Sequence, residues 1–263
     1  MNWPTILALN AINRDFYVSR AEEFSATRSG PWRGWLRLLD RLRASAPPIS
    51  VLDVGCGNGR FALFLRDHLE KPFHYEGIEY SPAALERARA NLSGVPNVTL
   101  HEQDLVARVA EPTFLPGLRT DYSLIALFGV LHHVPGYETR QALVKRLAEH
   151  LGETGTIVFS VWQFGRFERF RKKIVAWDDF HTGTGVRIDA NELERGDHLL
   201  SWGDRAPAYR FCHFTDSEET SRLVSSLPLN LVEVFSADGH TNDLNQYFVL
   251  TRKDNRTAPR TGS

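Results

Sequence analysis

Val51-Leu52-Asp53-Val54-Gly55-Cys56-Gly57-Asn58-Gly59-Arg60 is the stretch that decides the fold. A short run rich in valine and leucine leads into three glycines, each separated from the next by one residue. The residues that follow, Phe61, Phe64, Leu65 and Leu69, recur at helical spacing and fall on one face. The stretch therefore predicts a strand, a tight glycine turn and a helix.

The glycine spacing indicates the kind of ligand that the turn accepts, because glycine lets a ligand lie against the backbone. The Gly-x-Gly-x-Gly order differs from the Gly-x-Gly-x-x-Gly order that cradles the pyrophosphate of a dinucleotide. Asp53, two residues before Gly55, repels a phosphate but can hold a cationic amino group or a water. Glu79 ends the next predicted strand, where a carboxylate accepts hydrogen bonds from ribose hydroxyls. A ligand with an adenosine and a cationic amino acid therefore fits better than a dinucleotide.

Strands and helices alternate along most of the chain, and this alternation predicts a parallel sheet. A final pair of strands is joined by a turn at Asp238-Gly239, which predicts an antiparallel hairpin. The predicted fold class is α/β and Rossmann-like, a seven-stranded mostly parallel sheet with helices on both faces and an antiparallel last strand. The predicted strands cover residues 50–54, 74–79, 97–102, 122–128, 156–162, 230–236 and 246–251. The predicted helices cover 58–70, 82–92, 138–150 and 216–226, the last with Thr215 as N-cap.

The composition is that of an ordinary globular protein, with 42% hydrophobic and 24% charged residues among 263. No stretch reaches the roughly 20 apolar residues of a membrane span, and residues 1–5 lack the features of a signal peptide. We therefore expect a cytoplasmic protein with no membrane partner.

Cys56, Cys212 and ten scattered histidines form no metal-ligand spacing, so no metal is predicted. The net charge of −1 excludes a uniformly basic nucleic-acid binder but allows a local basic patch.

Composition also divides the chain into segments. Residues 1–46 are predicted to form a helical cap or lid, residues 47–253 the α/β domain, and residues 254–263 a disordered polar tail. The alternation lapses over about 163–209, which is predicted to be an insertion that recognises the substrate, with 178–207 as a mobile surface loop. Residues 165–173 carry five basic residues and one acid, with two phenylalanines interleaved. This run suits a phosphate backbone with unstacked bases, but a solvated amphipathic helix explains it as well.

The run from Asp53 to Gly59, followed by Glu79, resembles the S-adenosylmethionine site of class I methyltransferases. The resemblance implies this fold and this cofactor, and it implies that Asp104 meets the adenine amino group, although an exposed loop acid is the alternative. The cofactor-binding residues that it implies are Arg28, Asp53, Gly55, Cys56, Gly57, Asn58, Gly59, Glu79, Tyr80, Asp104, Leu105, Phe128 and Gly129.

Stretches outside the glycine turn resemble one subfamily, the tRNA wobble-uridine carboxymethyl methyltransferases, which include the methyltransferase domain of animal AlkB-homologue proteins. The subfamily usually has two aromatic residues between the arginine and the histidine of its last stretch, where this chain has Phe211 and Cys212. This departure leaves the contacts to the anticodon loop open. The stretches that carry the resemblance are residues 13–17 leading to 24–28 with Pro31-Trp32, residues 130–133, residues 159–162 and residues 209–214.

The resemblance implies esterification of a carboxymethyl group on tRNA, with the anticodon loop of tRNA as partner and, in the eukaryotic members, a small zinc-binding activator subunit. A carboxylic acid of pKa about 4 is ionised at neutral pH, so no general base is needed. Arg210 is predicted to orient the carboxylate, with His213 and His132 as neutral donors or pocket walls. A small-molecule carboxyl or hydroxyl methyltransferase and a non-catalytic partner protein remain alternatives. The substrate-binding residues predicted are Tyr17, Trp32, His133, Trp162, Arg166, Arg169 and Lys172.

Overall fold

Seven strands form the main sheet in the computed structural model, which describes residues 1–20, 23, 27, 30–203 and 208–253. The strands are β1 Ile49–Val54, β2 Phe73–Glu79, β3 Val98–Glu102, β4 Tyr122–Leu127, β5 Leu151–Trp162, β9 Leu229–Ala237 and β10 Asn245–Arg252. Their order in the sheet is β3-β2-β1-β4-β5-β10-β9, and β10 runs antiparallel to both of its neighbours. The predicted sheet and its terminal hairpin are therefore confirmed.

Helices cover both faces of this sheet, because successive side chains of a buried strand point to opposite sides. In β1, Ile49 and Val51 join one apolar cluster, and Leu52 and Val54 join the other. Helix α3 packs on the first face and α6 on the second. The helices are α1 Trp3–Ser19, α2 Leu39–Ala44, α3 Arg60–His68, α4 Pro82–Asn91, α5 Leu105–Arg108, α6 Tyr137–Glu149, α7 Glu168–Arg171, α8 Trp177–Thr184 and α9 Ser217–Ser225. Short 3₁₀ helices cover Arg33–Leu38, Leu131–His133, Phe164–Arg166 and Ala190–Glu192.

A second, three-stranded antiparallel sheet lies in the segment after β5, with the order β6-β7-β8. Its strands are β6 Ile174–Val175, β7 Asp197–Trp202 and β8 Ala208–His213. The prediction of a surface loop over 178–207 is therefore wrong for the described residues, since α8 and β7 lie there. Strand β7 is stabilised by its pairing with β8, in which Leu199 faces Phe211. A pairing between separate segments leaves no local pattern from which the strand could be predicted.

Helix α1 packs against this second sheet through an apolar cluster that includes Leu9, Ile12, Leu199 and Phe211. The cap helix and the insertion therefore form one layer, which faces the carboxyl ends of β1, β2 and β4.

The predicted tail at 254–263 lies outside the described residues. The N-cap of α9 is Asp216, whose side chain accepts a hydrogen bond from Glu219 N, and the prediction of Thr215 is wrong by one residue. In the described part of the chain, no helix has the length and apolar character needed to cross a membrane.

Candidate functional site

A cavity of about 510 Å³ lies between the carboxyl ends of the main-sheet strands and the layer made by α1 and the second sheet. Ligands of open α/β sheets bind at this edge. Ten of the residues implied to bind the cofactor line the cavity. They are Gly55, Cys56, Gly57, Asn58, Glu79, Tyr80, Asp104, Leu105, Phe128 and Gly129.

Three of the implied cofactor residues are placed differently. Arg28 lies outside the described residues. A Cβ on Gly59 would approach Leu92 Cδ1 to 2.7 Å, so this glycine permits the approach of α4 to the turn rather than lining the cavity. Asp53 lies beneath the turn, 3% exposed, and is not part of the cavity wall.

The glycine turn is organised around the carboxylate of Glu79. Gly57 N donates to Glu79 Oε2 at 3.1 Å, while Tyr80 N and Ser81 N donate to Oε1 at 3.0 Å each. Burial raises the pKa of Glu79, and the three backbone donors oppose this rise. Gly57 has φ +55°, and a Cβ there would meet no protein atom within 4 Å, so the turn leaves space for a ligand. These residues fit an adenosine-containing ligand whose ribose hydroxyls donate to Glu79.

Asp53 Oδ2 accepts a hydrogen bond from the hydroxyl of Tyr75 at 2.6 Å. Burial raises the pKa of Asp53 to about 7, although the hydrogen bond from Tyr75 and the charge of Arg60 both lower it. A cation near this carboxylate would be favoured electrostatically. Arg60 itself lines the cavity and donates to Gly30 O at 2.9 Å, a role that the sequence did not reveal.

Helix α1 contributes a polar stripe of Asn10, Asn13 and Tyr17 to the cavity wall. Asn10 Nδ2 donates to both carboxylate oxygens of Asp104, at 3.1 and 2.9 Å. Asp104 also caps α5 through the N–H groups of Val106 and Ala107. Asp104 is thus fixed in orientation in the cavity wall, and its contact with an adenine amino group stays a prediction. Asn10 and Asn13 were missed by the sequence reasoning, although polar residues at spacings of three and four on the buried face of α1 were the available signal.

Arg210 lines the cavity from β8 and is only 4% exposed. Its guanidinium carbon lies 5.5 Å from the ring centroid of Phe16, 5.0 Å from that of Trp162 and 5.6 Å from that of Trp202. Such distances are those of cation–π contacts, which hold the guanidinium in place. Trp202 is a cavity residue that the sequence did not reveal, since it lies at the end of the unpredicted strand β7.

His132 and His133 form the floor of the cavity within the 3₁₀ turn Leu131–His133. The His132 ring lies 5.1 Å from that of Trp162. His133 Nδ1 lies 2.9 Å from the carbonyl oxygen of Phe211, so Nδ1 must be the donor. Nε2 of a neutral ring then accepts from the hydroxyl of Tyr17 at 2.8 Å. The structure therefore brings four predicted substrate-binding residues, Tyr17, Trp32, His133 and Trp162, to the same cavity as Arg210 and His132.

The structure places His213 outside the cavity lining, which does not fit the catalytic role predicted for it. The ring is 1% exposed, with Nδ1 at 2.7 Å from Asp197 Oδ1 and Nε2 at 2.8 Å from Glu219 Oε2. Burial lowers the pKa of His213, but the two carboxylates raise it more, and the net pKa is above its usual value. No local signal distinguishes this histidine from a cavity residue, because its partners come from other parts of the chain.

The exposed basic side chains of Arg166, Arg169 and Lys172 lie outside the cavity. The Arg169 guanidinium stacks 4.7 Å from the ring of Phe170, which does line the cavity and touches Trp162. Lys172 pairs with Glu168 at 2.8 Å. The basic run therefore lies beside the mouth of the cavity.

Comparison with known proteins gives a family. The family model described as "Methyltransferase domain" matches residues 26–234. The dTDP-3-amino-3,4,6-trideoxy-alpha-D-glucopyranose N,N-dimethyltransferase of Streptomyces venezuelae is 27% identical over 84% of this chain and 81% of its own length. The probable tRNA methyltransferase 9B of Bos taurus is 25% identical over 62% of this chain, and the match spans 32% of that protein. The solved DhpI–SAH complex has the same fold, with a TM-score of 0.60 at 16% identity over 94% of this chain and 98% of that one.

Proposed function

Because this chain belongs to the methyltransferase-domain family and uses S-adenosylmethionine, we propose that it esterifies a carboxylate, and that this carboxylate belongs to a carboxymethyl-type modified wobble uridine of tRNA. The observation that carries the proposal is the buried cation of Arg210 in the cavity wall. A cationic side chain held among three aromatic rings suits an anionic acceptor and disfavours an ammonium one.

The main requirement of this reaction is that the protein position the acceptor carboxylate against the cofactor. The bound cofactor supplies an electrophilic methyl group. A carboxylate is ionised at neutral pH, since its pKa is about 4, so no side chain has to remove a proton before attack. Arg210 can hold one carboxylate oxygen and leave the other to attack, and holding reactants in line contributes several kcal/mol. A very strong interaction between Arg210 and the carboxylate would stabilise the charged ground state more than the transition state, in which the carboxylate loses its charge. The role of Arg210 is therefore orientation.

Two features support tRNA as the acceptor. The exposed basic run beside the cavity mouth, with Phe170 and Phe167 between its cations, offers phosphate contacts and rings for unstacked bases. The similarity to a tRNA methyltransferase covers 62% of the chain. The cytoplasmic location stays a prediction. The zinc-binding activator subunit stays a prediction, which the assay addresses by running with and without a candidate subunit.

A small-molecule acceptor is the second candidate, and one comparison favours it. The sugar N,N-dimethyltransferase matches 84% of this chain, more than the tRNA enzyme does. An amine acceptor would need to lose a proton and would meet the positive charge of Arg210. A small carboxylate would meet neither obstacle, but it would leave the basic run without a role.

The test is transfer of labelled methyl groups from S-adenosylmethionine to bulk tRNA that contains carboxymethylated uridine. We expect incorporated label to be released by mild alkali, as an ester requires. In Arg210→Ala the transfer should fall by at least about a hundredfold, since a charge-assisted contact is lost, while the cofactor dissociation constant stays the same. Arg146→Ala is a matched control, because the Arg146 guanidinium also stacks on a ring, 4.9 Å from that of Phe114, and does not line this cavity. Cofactor binding without any labelling of tRNA would instead favour the small-molecule acceptor.

A further inference from the structure

A buried ion cluster lies behind the strand that carries Arg210. Its centre is Arg140 of α6, whose side chain is fully buried. Nη1 donates to Val134 O at 3.0 Å, and Nη2 lies 2.6 Å from both Glu194 Oε2 and Glu219 Oε1. One guanidinium therefore contacts three segments that are far apart in the chain.

The fourth segment of the cluster is β8, through His213. Both ring nitrogens of His213 face carboxylates, Asp197 on Nδ1 and Glu219 on Nε2. Burial and the charge of Arg140, whose Nη2 lies 3.1 Å from Nε2, lower the pKa of His213, while the two carboxylates raise it above its usual value. The cluster thus joins Arg140 and His213 to the three carboxylates of Glu194, Asp197 and Glu219.

The segments held by the cluster are those that build the acceptor end of the cavity. Val134 lines the cavity and directly follows the turn that carries His132 and His133. His213 lies on the same strand as Arg210, an odd number of residues away, so the two side chains leave β8 on opposite faces. Glu194 precedes β7 and Asp197 is the first residue of this strand, which carries the cavity residue Trp202.

We propose that Arg140 is a positioning residue for the acceptor: its guanidinium fixes β8 against the turn at 131–134, and so fixes the spacing between Arg210 and the histidine floor. This inference rests on the proposed function in one respect, that Arg210 contacts the acceptor. The cofactor end of the cavity does not depend on the cluster, because Glu79, Asp104 and the glycine turn are held by other contacts.

Helix α6 offers a matched control in Arg146. Like Arg140, this arginine donates to backbone carbonyls, with Nη1 at 2.9 Å from Val109 O and Nη2 at 2.8 Å from Pro112 O. Its partners lie in the loop after α5, away from β8 and from the turn at 131–134. A loss common to both arginine variants would therefore reflect general stability, and a loss limited to Arg140 would reflect positioning.

The experiment compares Arg140→Lys, Glu219→Gln and Arg146→Lys in the full chain. A lysine keeps the charge but cannot make the forked contacts of a guanidinium. For both cluster variants we expect kcat/KM for carboxymethylated tRNA to fall about tenfold or more, with the S-adenosylmethionine dissociation constant within about twofold of wild type. Amide hydrogen exchange should quicken about tenfold in peptides covering 131–134 and 208–213 but not 49–54. Arg146→Lys should leave these three quantities unchanged.

Two outcomes would overturn the positioning role: unchanged exchange and kinetics in both cluster variants, or equal losses of cofactor binding and transfer in Arg140→Lys and Arg146→Lys. Failure of the proposed function looks different. The wild-type protein would then bind S-adenosylmethionine but methylate no tRNA, while the exchange measurement would still report whether Arg140 holds β8 and the turn. If Arg140→Lys does not fold, Glu219→Gln supplies the same comparison, because it removes one charge from the edge of the cluster and keeps Arg140.

Discussion

The hydroxyl of Tyr17 lies 2.8 Å from Nε2 of His133, and this contact joins the cap helix α1 to the floor of the cavity. The same helix holds Asp104 through Asn10 and donates from Asn13 Nδ2 to His133 O at 3.2 Å. Helix α1 is therefore attached both at Asp104 and at the histidine floor of the cavity.

Tyr17→Phe tests this attachment. The change removes one hydrogen bond and leaves Nε2 of a half-buried histidine without that donor, so we expect a loss of about 1–2 kcal/mol in the free energy of unfolding. Hydrogen exchange in residues 3–19 should quicken relative to β1, because the helix is held by fewer contacts. Exchange at the wild-type rate throughout α1 would show that the apolar cluster around Leu9 and Ile12 alone holds the helix.

Glu79→Gln tests the ribose contact at the glycine turn. In glutamine, an NH2 group replaces one of the two carboxylate oxygens. This NH2 group is a donor, so it cannot accept the hydrogen bond that a backbone N–H of the turn donates to the oxygen in the wild-type protein. We expect the dissociation constant for S-adenosylmethionine to rise roughly tenfold to a hundredfold, measured by calorimetry. Glu76→Gln is the control, since Glu76 lies on the same strand, pairs with His101 and does not line the cavity. Equal affinities in the two variants would contradict the assignment of Glu79.

Asp53→Asn tests the buried carboxylate through the pH dependence of stability. The pKa of Asp53 rises from 3.8 to about 7 on folding, chiefly through burial, so the folded protein binds this proton more tightly than the unfolded chain. The stabilisation that follows is complete below pH 3.8 and is lost as the pH rises through about 7.

At pH 8 the wild-type protein should therefore melt at least ~3 °C below Asp53→Asn, because asparagine carries no charge to desolvate. The difference should shrink towards pH 4.5. Melting curves recorded without cofactor at several pH values check this, and a constant difference across the range would contradict it. The same variant should bind S-adenosylmethionine more weakly, because a negative charge near the cationic end of the cofactor is lost.

Arg169→Glu/Lys172→Glu tests the basic run as a phosphate-binding surface. We expect weaker binding of tRNA, with the slope of log affinity against log salt smaller by about 1–2, because each cation that contacts phosphate releases counterions. Transfer to carboxymethyluridine nucleoside should stay at the wild-type rate, since neither side chain lines the cavity. Arg66→Glu/Arg89→Glu changes the charge equally on α3 and α4 and should leave the salt slope unchanged. A loss of nucleoside methylation in the first variant would place the basic run in the acceptor pocket instead.

The sequence alone determined the parts of this protein that are encoded locally. The strand, the three glycines and the helix that follow one another from Val51 predict their own conformation, and the alternation of strands and helices predicts the main sheet. Glu79 was identified because it ends a predicted strand, and the carboxyl ends of parallel strands meet at one edge. Asp104 follows the next strand, and its role was implied by the resemblance to class I methyltransferases. Arg210 was identified only through a resemblance to a known family, since one arginine in a short strand has no local signature.

Only the tertiary structure decided what distant segments do to one another. Asn10 meets Asp104 across 94 residues, and Arg140 meets His213 across 73. Such pairs leave no periodicity in the sequence. The second sheet is a further case, because β7 lies between β6 and β8 and pairs with both. His213 was for this reason predicted to act in the reaction, whereas the fold buries it among carboxylates. The physical reason is that backbone conformation follows largely from neighbouring residues, while the environment of a side chain follows from the packing of segments that are distant in the chain.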